Sequence, residues 1–121
     1  MDHRAAVALY EKLVAADGRV TRKGDTMPYT SLNGHMFSVL HKDATLALRL
    51  PPEPRSAFLK KYKTWLSKQY GSVQPEYVVV PDALLAKTRE LQPYFALSYS
   101  YVASLKPKAA KPGAKKAKGK K

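Results

Sequence analysis

The chain has no cysteine, no long apolar run and few acidic residues, and each shortage excludes a class of protein. Without cysteine, the 121 residues cannot form a disulfide or a thiolate zinc site. The longest apolar runs, such as residues 77–80, are much shorter than the ~18 residues that a membrane-spanning helix needs. Residues 1–14 form an amphipathic pattern with Asp2 and Glu11 rather than a signal peptide. We therefore predict a cytoplasmic protein, with nucleoid association as one option.

Acidic residues are absent from the C-terminal segment, residues 106–121. The whole chain has 22 lysines and arginines against 9 aspartates and glutamates, a formal net charge of +13. Eight of the lysines lie in the C-terminal segment, which leaves 14 basic and 9 acidic residues, a net charge of +5, for residues 1–105. The eight are Lys106, Lys108, Lys111, Lys115, Lys116, Lys118, Lys120 and Lys121.

The C-terminal segment also has little that a protein core could bury. Apart from lysine it consists of alanine, proline and glycine, so we predict that it is disordered when unbound. Residues 1–105 must then form the whole core, and a domain of that size buries roughly two-thirds of its unfolded surface. We predict one folded domain over residues 1–105, followed by a lysine-rich tail over residues 106–121.

The first half of the domain carries the pattern of one helix and three strands. Asp2 is a suitable N-cap for a helix that Gly18 ends. Asn33-Gly34 is the dipeptide that best tolerates the two positive φ angles of a type I′ turn, and it predicts a hairpin of residues 27–32 and 35–40. Residues 45–50 alternate apolar and polar side chains. These signals predict a three-stranded antiparallel meander with one buried face.

A second helix is predicted from Pro54, which suits a first helical turn, to Gly71. Its apolar stripe places the aromatic residues in the core, Trp65 among them. The stripe is Phe58, Leu59, Tyr62, Trp65, Leu66 and Gln69. The opposite side of this helix carries Lys60, Lys61, Lys63 and Lys68, which form either its solvated face or an extension of the tail's positive field.

The remaining elements are one strand and two helices. Residues 77–80 are β-branched or aromatic and predict a strand. Asp82 is a suitable cap for a third helix, and Pro93 separates it from, or kinks it into, a last helix that ends at Leu105. The predicted order is α-β-β-β-α-β-α-α, an α+β fold with about four antiparallel strands.

Two segments of this pattern resemble a known family. Residues 27–53, with Asn33-Gly34 and the closing Leu50-Pro51-Pro52-Glu53, are similar to the "NGKMFA…L.LPPE" core of the TfoX N-terminal-domain family. Residues 76–81 are similar to that family's "KEWVVVP" strand, and Leu84, Leu85 and Ser98 lie where the family has its last helices. The resemblance covers residues 3–105. The related YjbR-like domains remain an alternative.

The resemblance implies an α+β domain and, because the best-known members regulate natural competence in bacteria, a regulatory role. Those members continue into a helical second domain, where this sequence has the lysine-rich tail. The family supplies no established catalytic or cofactor residues to carry over.

The residues themselves give no pattern for catalysis or metal binding. His35 and His41 are separated by six positions of one predicted strand, about 20 Å at ~3.3 Å per residue, too far to share a metal ion. A contact of His41 with Asp43 across the turn is more typical of solvated structure than of a site. No phosphate-binding glycine loop or nucleophile motif is present. We therefore expect no enzyme activity, no cofactor and no small-molecule substrate.

The lysine-rich tail predicts non-specific contacts with nucleic-acid phosphates, because flexible lysines neutralise phosphate charge without reading bases. A tail that only improves solubility is the alternative, and an anionic membrane surface is a third. A protein partner or a homodimer is also predicted, through Tyr94, Tyr99 and Tyr101, because the last helix is apolar over more of its circumference than one contact needs. The alternative explanation is that this helix is packed between the sheet and another helix.

Overall fold

Helix α1, His3–Asp17, begins and ends where the sequence predicts. The Asp2 carboxylate accepts the Ala5 N–H at 2.8 Å, and Gly18 ends the helix with a φ of 78°, in the left-handed region that favours glycine. This helix belongs to a computed structural model that describes residues 1–107. The prediction of a disordered tail over residues 106–121 falls, apart from Lys106 and Pro107, outside the described residues.

The described chain has five strands and four helices, and the predicted α+β class is confirmed. The strands form one antiparallel sheet in the order β1-β2-β3-β5-β4. The elements after α1 are β1 Tyr29–Leu32, β2 His35–Leu40, β3 Leu46–Arg49, α2 Pro52–Lys61, β4 Leu66–Gln69, β5 Ser72–Val80, α3 Asp82–Leu85 and α4 Thr88–Ala103. Within residues 1–107, no helix is both long enough and apolar enough to cross a membrane.

The core lies against one face of the sheet. Helices α1 and α4 pack on each other and on the first strands, while α2 packs on β5. Tyr10 of α1, Phe58 of α2 and Phe95 of α4 are fully buried in the same cluster as Leu48 and Val78, which are paired across β3 and β5. Burying one such large side chain contributes about 1.5–3 kcal/mol.

The opposite face of the sheet carries a row of cross-strand neighbours. Tyr29 pairs with Val39, Val39 with Ala47, and Ala47 with Val79. Trp65 extends the row, because its carbonyl accepts the Val79 N–H at 2.9 Å. Directly paired residues of neighbouring strands share a face, so Trp65 lies on the face that the core cluster does not occupy.

The second helix is shorter than predicted. It ends at Lys61 rather than at Gly71, because Lys63 adopts a φ of 51° and the Thr64 hydroxyl donates to the Val79 carbonyl at 2.8 Å. The chain then forms β4, the strand that the prediction of about four strands missed. The apolar spacing of residues 62–71 is compatible with either a helix or a strand. Hydrogen bonding to β5 selects the strand.

The last two helices also divide differently. The break falls at Ala86-Lys87, and Pro93 lies inside α4 without interrupting it. Proline has no N–H, so one helical hydrogen bond is lost at Pro93. Burial of the apolar stripe of α4 on both sides of Pro93 compensates for that loss. The buried residues of this stripe are Leu91, Phe95, Ser98 and Val102. Asp82 is the first residue of α3 rather than its cap, which is Pro81.

Candidate nucleic-acid interface

The lysines of residues 1–107 differ from the arginines in what they contact. Every described lysine is exposed, and none takes part in an ion pair of the described residues. The side-chain ion pairs instead use arginine: Arg19 with Asp17, Arg22 with Glu11, and Arg49 and Arg55 with Glu76. The lysine charges therefore remain available to a polyanion.

The four lysines predicted to share one helix face do not share it. Lys60 and Lys61 lie in the last turn of α2, Lys63 in the connection that follows, and Lys68 on β4. They follow the end of a helix and the edge strand of the sheet. Lysines on an edge strand also discourage pairing with a further strand, which is the structural alternative to a binding role.

Two aromatic side chains stand among these lysines. Trp65, predicted to be in the core, is 65% exposed, and Tyr70 at the tip of the β4–β5 hairpin is 94% exposed. Val73, near the same tip, is 54% exposed. We call the set of exposed side chains here the β4–β5 surface: Lys60, Lys61, Lys63, Trp65, Lys68 and Tyr70.

A half-open cavity of about 340 Å³ lies beside Trp65. Its walls come from the connection between α2 and β4, from the end of β5 and the residues just after it, and from the residue just before β3. They are Thr45, Tyr62, Lys63, Thr64, Trp65, Val79, Val80, Pro81 and Asp82. The volume is at the lower end of the range for small-ligand sites, and the cavity is the concave part of the surface around Trp65.

The β4–β5 hairpin bends at a bulge in β5. Leu66 pairs with Val78, yet Lys68, two residues further along β4, pairs with Val73, five residues back along β5. The additional residues of β5 include Pro75, which has no N–H for a ladder hydrogen bond. The bulge therefore gives the tip of the hairpin a register different from that of its base.

The tip itself is a two-residue turn. Tyr70 and Gly71 have φ values of 54° and 77°, which correspond to a type I′ turn like that of Asn33 and Gly34, with φ values of 56° and 79°. A bulky residue is uncommon at positive φ, where asparagine and glycine are preferred.

The tyrosines predicted to form an interface on the last helix are engaged within the domain. The Tyr94 ring packs edge-on against Phe58 at 5.0 Å, and the Tyr99 ring packs edge-on against Phe37 at 5.9 Å, both between ring centroids. The Tyr101 hydroxyl donates to Glu76 at 2.7 Å. All three side chains are half-buried, and α4 packs on α1 and the sheet, as the alternative proposed. The interface role of the three tyrosines stays a prediction.

Glu76 is the hub of a polar cluster that joins β5 to α4 and β3. Its carboxylate accepts from the Tyr101 hydroxyl and from Arg49 Nε, both at 2.7 Å, and Arg55 lies 3.8 Å away. Partial burial raises the pKa of Glu76, but the hydrogen bonds from Tyr101 and Arg49 and the two arginine charges outweigh it and hold the pKa below its usual value. The same hydrogen bond raises the pKa of Tyr101.

His41 and His35 lie in different environments. His41 is buried and its two ring nitrogens contact no described partner, so desolvation lowers its pKa, although the Asp43 charge acts in the opposite direction. The Asp43 carboxylate accepts the Thr45 N–H at 3.0 Å instead of contacting the imidazole. His35 Nε2 lies 2.8 Å from the Lys106 carbonyl. Residues 1–107 contain no group of three or more potential ligands placed to hold a metal ion.

The contact of His35 with Lys106 fixes where the lysine-rich tail leaves the domain. It starts beside the β1–β2 hairpin, at the sheet edge opposite to β4. The other predicted phosphate-binding lysines of the tail lie outside the described residues, from Lys108 to Lys121.

Prediction from sequence missed the exposed aromatics of the β4–β5 surface. Trp65 and Leu66 matched the stripe of an assumed helix, although Tyr70-Gly71 between polar neighbours is also a possible hairpin turn. The signal in the sequence for this hairpin was the polar, lysine-bearing segment next to Gly71.

Comparison with known proteins identifies no relative. No family model matches the chain, and neither the curated proteins nor the solved structures include a significant match. The resemblance to the TfoX N-terminal domain therefore stays a prediction from residues 27–53 and 76–81.

Proposed function

We propose that this protein is a small non-enzymatic factor that associates with nucleic acid through lysine–phosphate contacts and without sequence specificity. The observation that carries the proposal is the segregation of charge. Residues 106–121 have eight lysines and no acid. A lysine is a flexible point charge that binds phosphate without the fixed geometry of arginine, so such contacts give affinity rather than base recognition.

The folded domain supports the same proposal. Three of its acids, Glu11, Asp17 and Glu76, pair with arginines, and its lysines are exposed and outside the ion pairs of residues 1–107. Lys60, Lys61, Lys63 and Lys68 add positive charge at the sheet edge opposite to the start of the tail. Two separate basic regions can engage different phosphates of one nucleic-acid chain.

The setting that we propose for this binding is regulatory and bacterial. Its support is the resemblance of residues 3–105 to the N-terminal domain of TfoX, a family whose best-known members regulate competence. The phosphate contacts stand independently of that resemblance, because they rest on charge alone.

The proposal is tested by a salt titration of duplex DNA binding. If all eight tail lysines neutralise phosphates, the logarithm of the affinity should fall with the logarithm of salt with a slope of about −7. Between about 50 and 200 mM salt the affinity should then fall by roughly four decades. A full-length variant with glutamine at all eight tail lysines should lose most of the slope.

A matched control neutralises four exposed lysines scattered over the domain, Lys12, Lys23, Lys42 and Lys87. It should change the slope much less than the tail variant does. Absence of any duplex binding by the wild-type chain at about 50 mM salt, where electrostatic binding is strong, would overturn the proposal.

A further inference from the structure

The β4–β5 surface has more exposed aromatic area than charge neutralisation requires. Trp65 is 65% exposed and Tyr70 is 94% exposed, whereas the large aromatic residues Tyr10, Phe37, Phe58 and Phe95 are fully buried. Neutralising phosphate charge with lysine does not require the planar face of an indole or a phenol ring. The rings therefore point to a ligand with planar apolar faces as well as negative charge.

Tyr70 occupies a turn position that a smaller residue would fill more easily. In the β1–β2 hairpin the equivalent position, with nearly the same φ, is Asn33. A tyrosine at positive φ is strained, and its ring contributes little to the core because it is almost fully exposed. Strain of this kind persists where the presented side chain has a use outside the fold.

Trp65, unlike Tyr70, lies beside a cavity in the surface. It borders the cavity of about 340 Å³, whose lining also includes Lys63. Asp82 lines the same cavity, so its wall presents one charge of each sign. A planar group stacked on the indole would have the cavity beside it and the Lys63 ammonium in reach of an attached phosphate.

The charge around both rings is complementary to a phosphate chain. Lys63 and Lys68 flank Trp65 in sequence, and Lys60 and Lys61 lie at the end of α2 just before them. All four ammonium groups lie outside the ion pairs of the described residues. Trp65 directly precedes β4 and Tyr70 directly follows it, so the strand separates the two residues by at most about 17 Å at ~3.4 Å per residue.

We propose that the β4–β5 surface binds single-stranded nucleic acid, with one base stacked on Trp65 beside the cavity and another stacked on Tyr70. Lys68 contacts a phosphate between the two bases, and Lys63 contacts a phosphate on the other side of Trp65. Stacking needs bases that are free of a duplex, so this surface prefers single strands. The inference deepens the proposed function by adding a preference that the lysine-rich tail alone does not supply.

Trp65 is the only tryptophan, so its fluorescence reports on this surface alone. Titration of the full-length chain with oligo(dT) of about 15 nucleotides, a typical length for such sites, should quench or shift its emission. A duplex with the same number of phosphates should bind with much less effect on the emission. Unchanged fluorescence at oligo(dT) saturation would overturn the inference.

Variants are compared by anisotropy of a labelled oligo(dT). Trp65→Ala should weaken single-strand binding about tenfold, the effect of losing one stacked base, while Trp65→Phe keeps a ring and most of the affinity. Duplex affinity should change less than about twofold in both. The matched control is Leu97→Ala on α4, a partly exposed apolar residue away from this surface, which should leave both affinities unchanged.

Tyr70→Ala provides a second test that does not depend on how Trp65→Ala folds, since the Tyr70 ring is almost fully exposed. It should weaken oligo(dT) binding severalfold and leave duplex binding unchanged. If Trp65→Ala and Tyr70→Ala bind oligo(dT) as the wild type does, the inference fails while salt-dependent duplex binding still supports the proposed function. If the wild type binds neither oligonucleotide, both fail. An apolar peptide that quenches Trp65 when oligo(dT) does not would assign the surface to a protein partner instead.

Discussion

The β1–β2 and β4–β5 hairpins share a turn geometry and differ in what their side chains do. Both close through two residues of positive φ, Asn33-Gly34 in one and Tyr70-Gly71 in the other. The first hairpin contributes Phe37 and Leu40 to the core, both fully buried. The second ends the sheet as an edge. The same turn geometry therefore closes one hairpin that contributes side chains to the core and another that exposes side chains to solvent.

The largest expected effect contrasts a buried ring with an exposed one. Phe37→Ala should lower the free energy of unfolding by about 3–5 kcal/mol, because it leaves a cavity between β2 and α4. Trp65→Ala should cost less than about 1 kcal/mol, because most of its side chain is already in water. Urea unfolding followed by circular dichroism measures both. Similar losses in the two variants would show that Trp65 packs more than its exposure indicates.

Exchanging the first residues of the two turns, Tyr70 and Asn33, should change the stability by a smaller amount. Tyr70→Asn should stabilise the protein by about 0.5–1 kcal/mol, because asparagine adopts positive φ more readily than tyrosine. Asn33→Tyr should destabilise it by a similar amount for the same reason. Thermal unfolding of the two single variants gives both signs. Equal stability of all forms would mean that neither turn is strained by its side chain.

The smallest expected effect concerns Glu76, which anchors the bend of β5 to α4. Its pKa is lowered in the folded state, so the unfolded chain binds the proton more readily and the carboxylate's contribution to stability is present above the unfolded pKa of about 4.3. That contribution is lost as pH falls through the lower folded pKa. Glu76→Gln should remove less than about 0.5 kcal/mol at neutral pH, because the carboxylate is partly exposed and solvent screens its ion pairs.

The measurement for Glu76 is urea unfolding from neutral pH down to about pH 3, across the carboxyl pKa range. The acid-induced loss of stability should be shallower in Glu76→Gln than in the wild type. Asp17, whose pKa is lowered by its hydrogen bond with Arg19, and His41, whose pKa is lowered by burial, are present in both proteins and contribute to the remaining slope. Parallel pH profiles would show that the Glu76 cluster does not depend on its charge.

Local signals predicted the fold well where they coincided with the tertiary arrangement. Asp2 and Gly18 bound α1, and Asn33-Gly34 closes the first hairpin, because caps and tight turns depend on residues within a few positions of each other. The α+β class follows from these elements. The end of α2 did not follow, because residues 62–71 carry an apolar spacing that suits either a helix or a strand.

The candidate site divides in the same way. The exposure of Lys60, Lys61, Lys63 and Lys68 follows from their charge and was predicted. Their arrangement along a helix end and an edge strand was not, and neither was the exposure of Trp65. Burial of an aromatic residue is set by what packs against it, which a single segment of sequence does not contain.

By itself the sequence determined the absence of thiol chemistry, the concentration of eight lysines in residues 106–121, and the helix and hairpin of the first half, all of which depend on composition or on near neighbours. Only the tertiary structure decided that β4 pairs with β5, that Pro93 lies within a continuous helix, and that Trp65 and Tyr70 face solvent among exposed lysines. These features depend on contacts between distant segments, whose free energy outweighs weak local preferences.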